Sequence, residues 1–165
     1  MVSANNHKQN ERRRYERYPS EVKVYFSVVY DVRAKVKFRV VDKNNECQVL
    51  SERLPAISKD VSAEGMRITC RKELKKGDLL DLEVHAPGRS DPLNMEGEVR
   101  WSQPLSGSDR FDIGVKLSTI NGKIVTVSVY HDGANEIVWS SILESVFGDF
   151  KKIAQKRYAL PANKI

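Results

Sequence analysis

Five cationic side chains crowd the first seventeen residues, and four of them are arginines: Arg12, Arg13, Arg14 and Arg17. Arg13 and Arg17 are spaced four apart. Downstream, Asp60-Val61-Ser62-Ala63-Glu64-Gly65 places a carboxylate, a hydroxyl and a glycine within six residues, just ahead of the alternating run Met66-Arg67-Ile68-Thr69-Cys70. A guanidinium fork can hold two phosphate oxygens, or the O6 and N7 edge of guanine, through parallel hydrogen bonds. A carboxylate accepts from the N–H groups on guanine's Watson–Crick edge. Serine adds a small donor and acceptor, and glycine lets a backbone turn or approach closely without a Cβ clash. These types together suit a ligand that carries both phosphates and guanines.

The arginine pair is a weak signal by itself, since Arg67 and Arg71 repeat the spacing. The Asp-x-Ser-x-x-Gly turn is the rarer half, and its place just before a strand strengthens it. The two together resemble the signature of PilZ domains, bacterial receptors for cyclic di-GMP. Gly97-Glu98-Val99-Arg100-Trp101 and Phe111-Asp112-Ile113-Gly114-Val115-Lys116-Leu117 resemble later barrel strands of that family. The resemblance covers roughly 11–117. One departure is the stretch between Arg17 and Asp60, longer than is usual, which calls for an insertion or an elongated hairpin.

The resemblance implies a site. Arg13 and Arg17 would contact phosphates and guanine edges, and Asp60 and Ser62 would contact a guanine from the barrel side, while Gly65 permits the turn. Arg12 stands where an arginine is associated in this family with a stacked, intercalated pair of ligand molecules. Arg14 is expected to face solvent or touch phosphate at the periphery. Arg100 and Trp101 are candidates because the family places similar residues near the ligand, with barrel core as the competing reading for Trp101. No cofactor and no catalytic or metal residue is implied; the ligand is cyclic di-GMP itself. The expected partners are this ligand and an unidentified protein reached in trans, by a monomer or a homodimer.

Composition sets the frame. Of 165 residues, 40% are hydrophobic and 30% charged, an ordinary balance for a globular chain able to bury one core. No run matches a membrane span and no apolar leader is present, so a cytoplasmic protein is expected. Cys47 and Cys70 form no C-x-x-C pair, and His7, His85 and His131 are scattered without ligand spacing. Two reduced thiols are expected, and no metal. The net charge is +6, and residues 1–17 supply half of it, with five basic against two acidic side chains. Such a leader attracts anions.

Two other function classes compete. A basic small barrel could bind nucleic acid through the leader and aromatics such as Tyr15, Tyr18 and Trp101, but no run of strand aromatics interleaved with basic residues supports it. An enzyme would need more than Asp60 beside His85 or His131, and no nucleophile or phosphate loop accompanies them. A third possibility is a PilZ-like interaction module that has lost the nucleotide.

Hydropathy patterning supplies the scaffold. Residues 1–11 are polar and without period, expected to be disordered without ligand, and Pro19 stops any helix from the arginines onward. Val22, Val24, Phe26, Val28 and Tyr30 share one strand face; Val36, Phe38 and Val40 share the next, and 47–50 returns as a partner strand. Pro55 interrupts or edges the segment before Asp60. Met66, Ile68 and Cys70, then Leu80, Leu82 and Val84, then Met95, Val99 and Trp101, then Phe111 to Leu117 repeat the alternation. Short alternating strands at this spacing predict an all-β fold with a helical addition: an antiparallel six-stranded PilZ-like β-barrel. The divisions expected are a flexible tail over 1–18, the barrel over 19–138, and a C-terminal amphipathic helix and tail over 139–165. The helix should run over roughly 139–157, with Ser141 and Glu144 as a capping box and Ile142, Val146, Phe150 and Ile153 on its apolar face.

Overall fold

Alternation in the sequence becomes closure in space. A computed structural model describes residues 15–148 apart from 42 and 50, with the backbone alone at 39, 40, 47–49 and 132. Strand β1 (Tyr18–Asp31) is central and long, and β5 (Leu54–Val61) and β7 (Leu79–His85) pair with it on its two sides. From β5 the sheet runs to β6 (Gly65–Cys70) and β9 (Phe111–Ile120); from β7 it runs to β8 (Leu93–Pro104). Pairing of β8 with β9 shuts the ring, giving a closed antiparallel barrel of six strands. Two short outer strands extend it, β2 (Val36–Lys37) on β1 and β10 (Lys123–Ile124) on β9.

Inward-facing side chains meet as the period-two pattern requires. Val24, Phe26, Val61, Ile68, Leu80, Leu93, Met95 and Ile113 are all fully buried within one core. Burying each side chain of this size contributes about 1.5–3 kcal/mol. Val22 and Val28 belong to the same set, and the register shift between Val28 and Tyr30 turns the strand so that Val29 is buried as well. Cys70 lies in this core, and burial pushes its thiol pKa up, which keeps it protonated at neutral pH.

The long stretch between Arg17 and Asp60 is built as strand and hairpin. It holds the 14-residue β1 and a small separate hairpin of β3 (Arg39–Val41) and β4 (Cys47–Val49). Val36 is exposed, so β2 does not form the half-buried strand expected there. Pro55 lies inside β5, opposite Tyr25; it is tolerated because β6 begins to pair only at Ile57, leaving Pro55 with one neighbouring strand.

After β10 the chain forms a second hairpin, β11 (Val127–Asp132) with β12 (Asn135–Ser140), turning through Gly133 at φ 62°. Strand therefore occupies residues 139 and 140, where the sequence predicts helix. The helix α1 (Ser141–Phe147) starts two residues after the expected 139, and Ser140 rather than Ser141 takes the cap: its Oγ accepts from the Leu143 amide at 3.2 Å. Glu144, cast in the capping box, instead accepts from Trp139 Nε1 at 2.8 Å. Ile142, Leu143 and Val146 enter the barrel core, and Phe147 meets Tyr18 edge to face at 6.2 Å. So the helix packs on its own barrel. Phe150 and Ile153 lie outside the described residues.

Candidate functional site

Two β-bulges decide which side chains leave the barrel wall. On β5, Ala56 and Ser58 point inward, and unbroken alternation would send Asp60 inward too. The extra residue Lys59 shifts the register, so Val61 takes the inner place and Asp60 turns outward. On β8, Met95, Gly97 and Val99 point inward, and Trp101 should follow. Arg100 is the extra residue there, and Trp101 leaves the core for the outer face, which settles the competing reading against core. Bulges of this kind are common where a sheet must re-aim a side chain.

These outward residues fall in one row. Asp60 pairs with Arg67, Arg67 with Gly114, and Gly114 with Trp101, across β5, β6, β9 and β8. At one end of the row β1 begins, with Tyr18 opposite Val61 and Pro19 opposite Asp60. That pairing delivers the residues just before β1 to the same face. Arg17 reaches across it, its guanidinium carbon 5.8 Å from the centroid of the Trp101 ring, a cation–π distance.

The row floors an open cavity of about 380 Å³. Arg17, Asp60, Ser62, Gly65, Arg100 and Trp101 all line it, so every described residue singled out for the site is brought together. Arg12, Arg13 and Arg14 lie outside the described residues. Also lining it are Glu64, Arg67 and Lys116, which the sequence did not single out, and Tyr15, an aromatic of the nucleic-acid reading.

The local geometry explains the turn. The Ser62 amide donates to the Gly65 carbonyl at 2.8 Å, and the Gly65 amide lies 3.3 Å from Ser62 Oγ. Gly65 is not needed for a left-handed turn, as φ is not positive there. Its reason is close approach. A Cβ at 65 would stand 2.0 Å from the Val115 carbonyl oxygen, so only glycine lets β6 lie this near β9.

Charges in the cavity are organised around Arg67. Its Nε lies 3.0 Å from Asp60 Oδ2, an ion pair in which the N–H is not aligned for a hydrogen bond. One terminal nitrogen lies 3.6 Å from Asp112 Oδ2, and Asp112 Oδ1 accepts from Thr69 Oγ1 at 2.8 Å. Lys116 Nζ stands 3.9 Å from Glu64 Oε2 at the rim. The missed residues had a faint trace in the sequence: Arg67 and Lys116 occupy outward positions of alternating strands, where a solvated charge is the default. Among the described residues, no group of three or more His, Cys, Asp or Glu side chains could hold a metal ion. Nor is any helix among them long and apolar enough to cross a membrane.

No curated protein matches this chain. Among solved structures it is similar to the Bacillus subtilis inhibitor of motility (MotI/DgrA), with 16% identity and a TM-score of 0.44. That similarity covers 67% of this chain and 44% of the other, so the chain spans less than half of that structure's length. A family model described as PilZ domain matches residues 11–126, a stretch that contains all six barrel strands and the whole described lining of the cavity. The chain belongs to the PilZ domain family.

Proposed function

We propose that this protein is a receptor for cyclic di-GMP, which binds in the cavity over the Asp60–Trp101 row and is covered by the arginine leader. The carrying observation is convergence: Arg17, Asp60, Ser62 and Trp101, far apart in sequence, line one cavity of about 380 Å³. That is within the usual size of small-molecule sites, roughly 300–1,000 Å³. PilZ domains are a cyclic di-GMP receptor family of binding modules rather than enzymes.

Each side chain has a chemical task in this reading. Arg17, with Arg13 before it, grips phosphate and the O6/N7 edge of guanine. Asp60 accepts from the Watson–Crick N–H groups, and Ser62 supports that contact. Trp101 offers a π-face to the ligand or to Arg17. Arg12 and Arg14 add positive charge for a ligand pair carrying four negative charges. Hydrogen bonds to charged groups contribute about 1.5–3 kcal/mol each. Three or four of them must offset roughly 2–5 kcal/mol for ordering the leader, and a net value of about −8 kcal/mol would correspond to micromolar affinity. The ordered leader then presents or hides a surface for a protein partner, shifting the population between two forms.

Calorimetric titration with cyclic di-GMP and, separately, GTP tests this. Wild type should bind the dinucleotide in preference to GTP. Arg13→Ala, Arg17→Ala and Asp60→Ala should each lose affinity by at least about tenfold with unchanged circular dichroism. Equal affinity in wild type and all three variants would overturn the assignment. Steeply salt-dependent binding of single-stranded nucleic acid, with no preference for the dinucleotide, would favour the nucleic-acid reading instead.

A further inference from the structure

We infer that Arg67 is a positioning residue for guanine selection, holding the Asp60 carboxylate in the orientation that a planar N–H edge requires. The inference rests on the receptor reading above and adds a residue to it. Three observations carry it. First, the bulge at Lys59 puts Asp60 directly opposite Arg67 in the β5–β6 register, so the two side chains leave the same face as cross-strand neighbours. Second, Arg67 does not hold Asp60 alone. The guanidinium spans Asp60 Oδ2 at 3.0 Å and Asp112 Oδ2 at 3.6 Å, and Asp112 is tied in turn to Thr69 at 2.8 Å. Third, the supporting pair is deeply placed: Asp112 is 7% exposed and Thr69 4%.

A solvated surface aspartate would need none of this. Taking two carboxylates and a guanidinium partly out of water carries a desolvation penalty, and such arrangements contribute little net stability. What the chain Thr69–Asp112–Arg67–Asp60 does provide is a guanidinium held in place beside Asp60 Oδ2, an electrostatic restraint on which way that carboxylate turns. The carboxylate torsion χ2 is broad and roughly two-fold in aspartate. Two parallel acceptor contacts to one base edge need that torsion fixed, and fixing it before the ligand arrives lowers the entropy lost on binding. Oδ2 is engaged by Arg67, and the carboxylate lines the cavity. The fork is also planar and rigid in a way that a lysine ammonium is not.

The experiment titrates cyclic di-GMP and cyclic di-AMP into wild type, Arg67→Met, Arg67→Lys, Asp112→Asn, Asp60→Ala and the Arg67→Met/Asp60→Ala double variant. Arg67→Met should weaken cyclic di-GMP binding by about tenfold and narrow the guanine-over-adenine ratio by a similar factor. Arg67→Lys should recover part of the affinity, since it keeps the charge and loses the fork. Asp112→Asn should move the ratio the same way and less. In the Asp60→Ala background, removing Arg67 should have no further effect, since Arg67 acts through that carboxylate. A ratio unchanged in Arg67→Met, or additive losses in the double variant, would overturn the positioning role while leaving the receptor reading standing. Wild type that binds neither dinucleotide would overturn both. If Arg67→Met fails to fold, the ratio measured in Arg67→Lys and Asp112→Asn decides the matter.

Discussion

Gly114 lies directly beneath Trp101: a Cβ added at 114 would stand 2.1 Å from the indole Nε1 and 2.3 Å from Cε2. The bulge at Arg100 puts the indole on the outer face, and the missing side chain on β9 gives it a bed. The atoms in the way belong to a side chain that can move. Gly114→Ala should therefore cost little stability, about 1 kcal/mol at the low end of overpacking, but should displace the indole from the cavity floor. The expected result is a small fall in urea midpoint with a loss of cyclic di-GMP affinity far larger than that fall. Unchanged affinity would mean that Trp101 takes no part in the site.

Gly65 should behave in the opposite way. There the clashing atoms are backbone, the Val115 carbonyl oxygen at 2.0 Å and Lys116 Cα at 3.3 Å, and neither can swing aside. Gly65→Ala must push β6 from β9 and strain a ladder that closes the barrel. About 3 kcal/mol or more of destabilisation is expected, read as a lower midpoint in urea or heat, with binding lost through the fold. Ser62→Ala at the same turn should leave the midpoint within about 1 kcal/mol, because it removes only hydrogen bonds of ordinary strength.

Local patterns in the sequence reached far into this fold, and they stopped at features set by distant partners. Alternation identified the inward faces of β1, β6 and β7, since one side of each strand must be apolar wherever the barrel closes. The Asp60–Gly65 turn was legible because its hydrogen bonds close within four residues. Trp101 was ambiguous for a physical reason: a single extra residue, Arg100, reverses the face of everything after it, and nothing in the composition of β8 marks that residue. Arg67 was hidden likewise. Asp112 stands 45 positions away and becomes its neighbour only when β6 pairs with β9. The cap of α1 moved by a residue because Ser140 and Ser141 are both competent caps, and Ser140, the last residue of β12, is the one whose Oγ reaches the Leu143 amide.

Away from the cavity, the barrel carries a titratable cluster with a definite sign. Arg53 stacks on Tyr25, its guanidinium carbon 3.9 Å from the ring centroid, and also bonds Glu83; His85 Nε2 lies 3.6 Å from the same carboxylate. The bond from Arg53, above all, holds the Glu83 pKa below the usual glutamate value of 4.5. A lowered folded-state value stabilises at pH above the unfolded value and is lost as pH falls through the folded one. The pair is open to solvent, so the contribution is at most about 1 kcal/mol. Arg53→Met should lower the melting temperature slightly at pH 7, and the gap to wild type should shrink as pH drops below 4.5. A gap that stays constant into acid would assign the effect to the Tyr25 stack alone.

The Arg17–Trp101 contact offers a direct optical readout of ligand entry. The chain has two tryptophans, Trp101 in the cavity and Trp139, whose Nε1 is bonded to Glu144. In a Trp139→Phe variant, emission reports Trp101 alone. A guanidinium 5.8 Å from the ring centroid is an interaction of roughly 0.5–1 kcal/mol at an exposed site, weak enough for a ligand carrying phosphates to draw the arginine away. Adding cyclic di-GMP should therefore change Trp101 emission with the same midpoint as the calorimetric titration. Arg17→Ala should alter the emission of the free protein and flatten its response to ligand. Tight binding by calorimetry with no change in Trp101 emission would place the ligand elsewhere on the barrel.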